Sequence, residues 1–66
     1  MSKLYNITLT AEEIELINKS AAYTIKHVKE RTLYVKDIGG IPTVKLMASL
    51  KVKTDKLINI INDDAN

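Results

Sequence analysis

The chain has 66 residues, no cysteine, one histidine and a formal net charge of +2 at pH 7. Without cysteine it can form no disulfide and no thiolate metal site, and a single histidine argues against a zinc site within one chain. So short a chain makes one small domain, residues 1–66, which buries only about 60% of the surface of its unfolded state. Self-association is then the remaining way to enlarge the core, and we expect a homo-oligomer.

The first predicted element, residues 4–9, is a short strand or an extended arm. Its sequence, Leu-Tyr-Asn-Ile-Thr-Leu, is rich in the β-branched and aromatic residues that favour strands. A single strand leaves backbone groups unpaired, so pairing with the same strand of a second copy would complete it. The alternative is an arm that lies against the helices.

A long amphipathic helix follows, and two signals specify its start. Thr10 and Glu13 have the spacing of a capping box, in which each side chain accepts a hydrogen bond from the backbone N–H of the other residue. Leu9 and Ile14 occupy the positions of a hydrophobic staple around the same cap. Together these signals place the first helical residue at Ala11.

This helix has two faces of different composition. Apolar residues at spacings of three and four predict a core-facing stripe, which consists of Ile14, Ile17, Ala21, Ile25, Val28, Thr32 and Val35. The opposite face carries aromatic and apolar residues where an ordinary surface helix is charged. We interpret it as a contact surface for a protein partner, formed by Leu16, Tyr23, His27, Glu30 and Tyr34. The alternative is a set of scattered surface apolar groups, which are common.

Two signals compete over the end of the first helix. The β-branched and aromatic residues at 32–35 favour a break near Glu30, but the core stripe continues through them without a change of phase. The glycine pair at 39–40 is the first clear stop. We therefore predict a helix over 11–37 and a turn over 38–42.

The last segment fits a helix better than a strand. A helix over 43–62 gathers apolar residues on one face, which holds Leu46, Leu50, Leu57 and Ile61, with Met47, Thr54 and Ile58 beside it. The alternative is a strand pair, 32–36 with 43–53, because apolar residues alternate from 44 to 52. We predict a mainly α fold in which the strand or arm precedes an antiparallel two-helix hairpin, assembled into an oligomeric bundle. The alternative is an α+β fold of order β-α-β-β-α.

No pattern in the sequence indicates a catalytic, metal or cofactor site. His27 and Glu30 have the i, i+3 spacing that helical metal sites use. No second carboxylate pair accompanies them, so we expect a surface hydrogen bond between the two side chains instead. One histidine in a small helical body leaves little room for an enclosed active site, and we predict a protein that is not an enzyme and uses no cofactor.

The middle of the chain is basic. Residues 26–56 contain eight basic and three acidic side chains, a balance that can contact phosphates but is more often the solvated surface of helices. The basic side chains are lysines dispersed among apolar residues, with a single arginine, so we favour a protein partner over nucleic acid. In the nucleic-acid alternative the contacting residues are Asn6, Thr8, Lys45, Lys51 and Lys53.

Residues 9–17, Leu-Thr-Ala-Glu-Glu-Ile-Glu-Leu-Ile, on a short chain rich in lysine and isoleucine, resemble small bacteriophage and prophage accessory proteins. The resemblance implies a regulator or inhibitor of a host or defence factor that acts by binding, as a small oligomer. The strand–helix–helix order also resembles ribbon–helix–helix repressors, whose paired strands enter the DNA major groove. There Asn6 and Thr8 would face outward, although the strand lacks the arginine, lysine or glutamine of that family.

The sequence also predicts where the protein acts. No segment approaches the ~20 apolar residues that cross a membrane. The N-terminus lacks the apolar region of a signal peptide. We therefore expect a cytoplasmic protein, of a bacterium or of an infected bacterial host, with no membrane partner.

Overall fold

The computed structural model describes residues 3–65, which contain two helices, α1 (Ala11–Lys29) and α2 (Thr43–Ala65). The helices run antiparallel and pack against each other, so that Asn18 of α1 lies beside Thr54 of α2. The predicted helical hairpin is confirmed. Within residues 3–65 there is no strand, only an isolated antiparallel bridge between Ile38 and Ile41, so the chain does not adopt the β-α-β-β-α alternative.

Within residues 3–65 of a single chain, the N-terminal segment forms no strand, and its pairing with a second copy stays a prediction. Residues 4–9 have no ladder partner in the described chain, and Leu4 and Tyr5 are 94% and 84% exposed. The alternative, an arm packed on the helices, is wrong for these side chains. A strand needs a neighbour for its backbone groups, and a single chain supplies none.

The start of α1 has the predicted capping box. The backbone N–H of Thr10 donates to Glu13 Oε1 (2.9 Å), and the N–H of Glu13 donates to Thr10 Oγ1 (3.1 Å). The first of these bonds is the main cause that lowers the pKa of Glu13 below its ordinary value, since it stabilises the ionised carboxylate.

The prediction that α1 extends to residue 37 is wrong, because the helix ends at Lys29. Arg31 adopts the left-handed conformation (φ +61°). Its N–H donates to the Val28 carbonyl (3.1 Å), and the Thr32 N–H donates to the His27 carbonyl (2.9 Å). These two bonds form a Schellman motif, which satisfies the last carbonyls of the helix without a glycine.

The end of the helix follows from the residues after it. The run Thr32-Leu33-Tyr34-Val35 is rich in side chains that lose rotamer freedom in a helix. The hydroxyl of Thr32 also donates back to the His27 carbonyl (3.1 Å), so it reinforces the termination. The continuous apolar stripe predicted that the helix continues through these residues. In the structure, however, Thr32 is exposed and Val35 is half-buried.

The prediction that the glycine pair terminates α1 is wrong. The two glycines instead reverse the chain between the helices. Gly39 (φ +57°) and Gly40 (φ +77°) are both left-handed, as a type I′ turn requires. Ile38 and Ile41, on either side of them, exchange backbone hydrogen bonds of 2.9 and 3.0 Å. The loop is then tied to α2, because the hydroxyl of Thr43 donates to the Lys36 carbonyl.

The core between the helices is very small. Ile14 and Ala21 are the only buried apolar residues among those described, and Ala21 is completely inaccessible, which places it where the helices approach closely. In α2 the row Met47–Thr54–Ile58 faces α1. Of the row expected there, Leu46, Leu50 and Leu57 remain partly exposed, whereas Ile61 is half-buried. Both rows are apolar, so the periodicity could not show which one the partner helix covers.

The surface of the hairpin is large for its mass. Its solvent-accessible area is 5814 Å², whereas a folded 7.4 kDa monomer exposes about 4200 Å². Its radius of gyration is 13.4 Å, compared with about 11 Å for a compact domain of this length. Each helix has one helical neighbour and leaves its remaining sides uncovered.

Candidate partner-binding surfaces

A cluster of polar side chains joins the two helices. Asn18 Nδ2 lies 2.9 Å from Thr54 Oγ1, 2.7 Å from Asp55 Oδ1 and 3.4 Å from the Lys51 carbonyl. Lys51 Nζ closes the cluster with an ion pair to Asp55 (3.0 Å). Hydrogen bonds from Lys51 and from Asn18 lower the pKa of Asp55, because both stabilise the carboxylate. No sequence pattern indicates this cluster, since Asn18 lies more than 30 residues from its partners in α2.

This cluster establishes which sides of the two helices meet. Successive residues turn by about 100° around a helix. In α1, Ile14 and Ala21 point toward α2, and Asn18 lies to one side of them around the helix. In α2, Thr54 points toward α1, and Lys51 and Asp55 lie to one side of it. Since Asn18 touches Lys51 and Asp55, one broad side of the hairpin is polar.

The other broad side of the hairpin is apolar, and we name it the leucine face. It is formed by one row of residues from each helix, on the side opposite to the polar cluster. These residues are Ile17, Ser20 and Thr24 of α1 and Leu46, Leu50, Leu57 and Ile60 of α2. The three leucines are 37–42% exposed, although they lie beside the core. Both helices therefore contribute to one partly exposed apolar surface.

The outer side of α1, which points away from α2, carries the Tyr23–His27 pair. The two rings lie 4.1 Å apart, at an angle of 42°. The hydroxyl of Thr32 lies 2.9 Å from His27 Nδ1 and within hydrogen-bond distance of the His27 carbonyl (3.1 Å), so Thr32 fixes the position of the imidazole ring. The expected hydrogen bond between His27 and Glu30 is absent, because Thr32 is the partner of the imidazole.

The predicted partner surface is divided by the early end of α1. Leu16, Tyr23 and His27 remain together on the outer side of the helix, where Leu16 and Tyr23 are 65% and 63% exposed. Glu30 is the C-cap residue. Tyr34, which is 85% exposed, lies in the loop beyond the Schellman motif. The structure thus keeps three of the five predicted residues on one surface.

The residues of the nucleic-acid alternative are not gathered on one surface. Lys51 is half-buried in the polar cluster. Lys45 and Lys53 are exposed but point to other sides of α2, because each residue turns by about 100°. Asn6 and Thr8 belong to a segment that has no strand partner.

A groove of about 510 Å³ lies at the closed end of the hairpin. It is bordered by the end of α1, by the loop from Arg31 to Asp37 and by the start of α2. Its walls combine the aliphatic side chains of Val28, Val35 and Val44 with the exposed ring of Tyr34. Arg31 and Asp37 are the charged residues at its border.

Within residues 3–65, no group of three or more histidine, aspartate or glutamate side chains is placed to hold a metal ion. In the same part of the chain, neither helix is both long and apolar enough to cross a membrane. Comparison with protein-family models, with curated proteins and with solved structures gives no match. The candidate surfaces therefore rest on the geometry of this chain alone.

Proposed function

We propose that the chain is a small, non-enzymatic protein–protein interaction module that also self-associates. The observation that carries this proposal is the excess of exposed surface, about 1600 Å² above the value for a compact monomer of this mass. Among residues 3–65, large apolar side chains such as Leu50 and Ile60 are exposed, whereas only two apolar residues are buried. Large exposed apolar patches mark interaction sites, and small domains gain stability by association.

The partner surface in this proposal is the outer side of α1, with Leu16, Tyr23 and His27. Tyrosine and histidine have an apolar ring with a polar tip. Such side chains can be exposed to water in the unbound protein and packed against a partner in the complex. Thr32 holds the His27 ring, against which the tilted ring of Tyr23 lies, so binding costs less side-chain entropy at His27. The resemblance to phage accessory proteins supports a regulator or inhibitor of a host or defence factor, acting in the cytoplasm.

The first test of self-association is the molar mass in solution, measured by light scattering on a sizing column. We expect a mass of at least twice the 7.4 kDa of one chain. A stable 7.4 kDa monomer at all concentrations would contradict self-association. Salt-sensitive retention on duplex DNA, weakened by Lys51→Ala and Lys53→Ala, would instead favour the DNA-binding alternative.

The partner surface is tested with the double substitution Leu16→Glu and Tyr23→Glu, which places two charges on the outer side of α1. We expect it to abolish co-purification of a bacterial protein with the tagged chain, while the helical circular dichroism spectrum is unchanged. Lys26→Glu, which makes the same change in net charge on another side of α1, is the matched control and should retain the partner. Equal co-purification with all three proteins would contradict this surface.

A further inference from the structure

We infer that the leucine face is where a second copy of the chain docks, and that the two hairpins stack with their ends reversed. In this four-helix dimer α1 lies against α1 of the partner, and α2 lies against α2 of the partner. The inference rests on the proposed self-association. It specifies which surface the two chains bury and how the chains are oriented relative to each other.

The exposed area matches what such a dimer needs. A specific interface of standard size buries about 800 Å² on each partner. The chain exposes about 1600 Å² more than a compact monomer, and part of this excess belongs to the extended N-terminal segment. The leucine face contributes to the remainder, and its burial gives each helix a second helical neighbour.

The residue pattern of the leucine face is that of a helix-packing seam. In α2, positions 46, 50, 53, 57 and 60 alternate spacings of four and three, which is the repeat of packed bundle helices. Four of these five positions are leucine or isoleucine, and the fifth is Lys53. In α1, Ile17, Ser20 and Thr24 have the same spacing, and Ser20 and Thr24 are small enough for close approach.

The distribution of charge selects the reversed orientation. At the open end of the hairpin, helical residues 11–18 and 58–65 carry five acidic and no basic side chains. At the closed end, residues 26–45 carry five basic and two acidic side chains. Reversed stacking places each acidic end against a basic end of the partner. Stacking with like ends together would place acid against acid, which is unfavourable.

The surface is tested by three substitutions in α2 of the full-length protein. Leu50→Glu places a charge in the centre of the leucine face and should halve the molar mass to that of one chain. Val52→Glu is the matched control, because Val52 is also exposed (55%) but lies on another side of α2, and its variant should remain dimeric. Lys53→Leu completes the apolar row and should shift dimer formation to at least tenfold lower protein concentration.

The orientation is tested by disulfide cross-linking of Ser20→Cys, in a chain with no other cysteine. Ser20 is near the middle of α1, so reversed stacking brings the two copies of this position together at the symmetry axis. Mild oxidation should then convert most of the protein into a covalent dimer. In the other stacking, the two positions lie across the diagonal of the bundle, roughly 11–14 Å between helix axes, and no disulfide forms.

The outcomes separate this inference from the proposed function. A monomeric wild-type chain would overturn both. A dimeric wild type in which Leu50→Glu stays dimeric and Lys53→Leu has no effect would overturn the leucine face but leave self-association intact; another protein or the N-terminal segment would then cover this face. If Leu50→Glu is unfolded rather than monomeric, Lys53→Leu and Ser20→Cys still decide the question.

Discussion

At the scale of single residues, Arg31 has the costliest backbone conformation that the structure describes. It is the only residue other than glycine with positive φ among residues 3–65. A left-handed conformation costs a residue with a Cβ about 1–2 kcal/mol, whereas glycine adopts it without that penalty. The chain accepts the cost because the Schellman bonds of Arg31 and Thr32 satisfy the end of α1.

Arg31→Gly should therefore stabilise the protein, by about 0.5–1 kcal/mol after the larger unfolded-state entropy of glycine is deducted. The measurement is the free energy of unfolding in urea, at one protein concentration. Arg31→Ala is the control, since it removes the side chain but keeps the strained backbone, and it should give no gain. A gain of equal size in both variants would attribute the effect to the side chain and contradict the backbone explanation.

At the scale of the helices, the pairing of α1 with α2 depends on one polar cluster in a weakly apolar interface. Thr54 is only 4% exposed, and its hydroxyl also donates to the carbonyl of Leu50 (2.9 Å) or Lys51 (3.1 Å). Asn18 finds its hydrogen-bond partners only when α2 has one axial position relative to α1. The cluster therefore determines the register of the hairpin as well as contributing to its stability.

Thr54→Val should cost about 1–2 kcal/mol, because it leaves part of the hydrogen bonding of Asn18 unsatisfied at a partly buried site. The double variant Asn18→Leu, Thr54→Val should cost less than the sum of its two single variants, since neither group is then left without its partner. Urea unfolding of the four proteins gives the coupling energy directly. Ser49→Ala, on the exposed side of α2, is the control, and strict additivity of the pair would contradict a direct Asn18–Thr54 interaction.

At the scale of the whole molecule, the helices bury only two apolar residues among those that the structure describes, a small core for a domain of this length. If a second copy supplies the missing cover, folding and association are one equilibrium. The stability of the protein then depends on its concentration, as it does for obligate dimers.

We expect each tenfold rise in protein concentration to add about 1.4 kcal/mol to the free energy of unfolding per mole of dimer. Thermal unfolding followed by circular dichroism across a hundredfold range of concentration measures this effect. A folded Leu50→Glu variant should have a midpoint that does not change with concentration. The same behaviour in the wild-type chain would contradict coupled folding and association.

The features that could be predicted from the sequence are those that depend only on residues close together in the chain. Thr10 and Glu13 cap a helix because their hydrogen bonds close within three residues, whatever surrounds them. The 3.6-residue period likewise identified the buried line of α1 through Ile14 and Ala21. The same period predicts that Leu16, Tyr23 and His27 lie together on the opposite side of that helix.

The side of α2 that faces α1 could not be predicted, because it depends on contacts between segments that are far apart in the sequence. The period of α2 permits either Met47–Thr54–Ile58 or the leucine row to face α1, because both rows are apolar and lie less than a quarter turn apart. Asn18 and Thr54 select the first arrangement through a hydrogen bond across 36 residues. That choice leaves the leucines partly exposed, and it creates the face that we assign to the second copy.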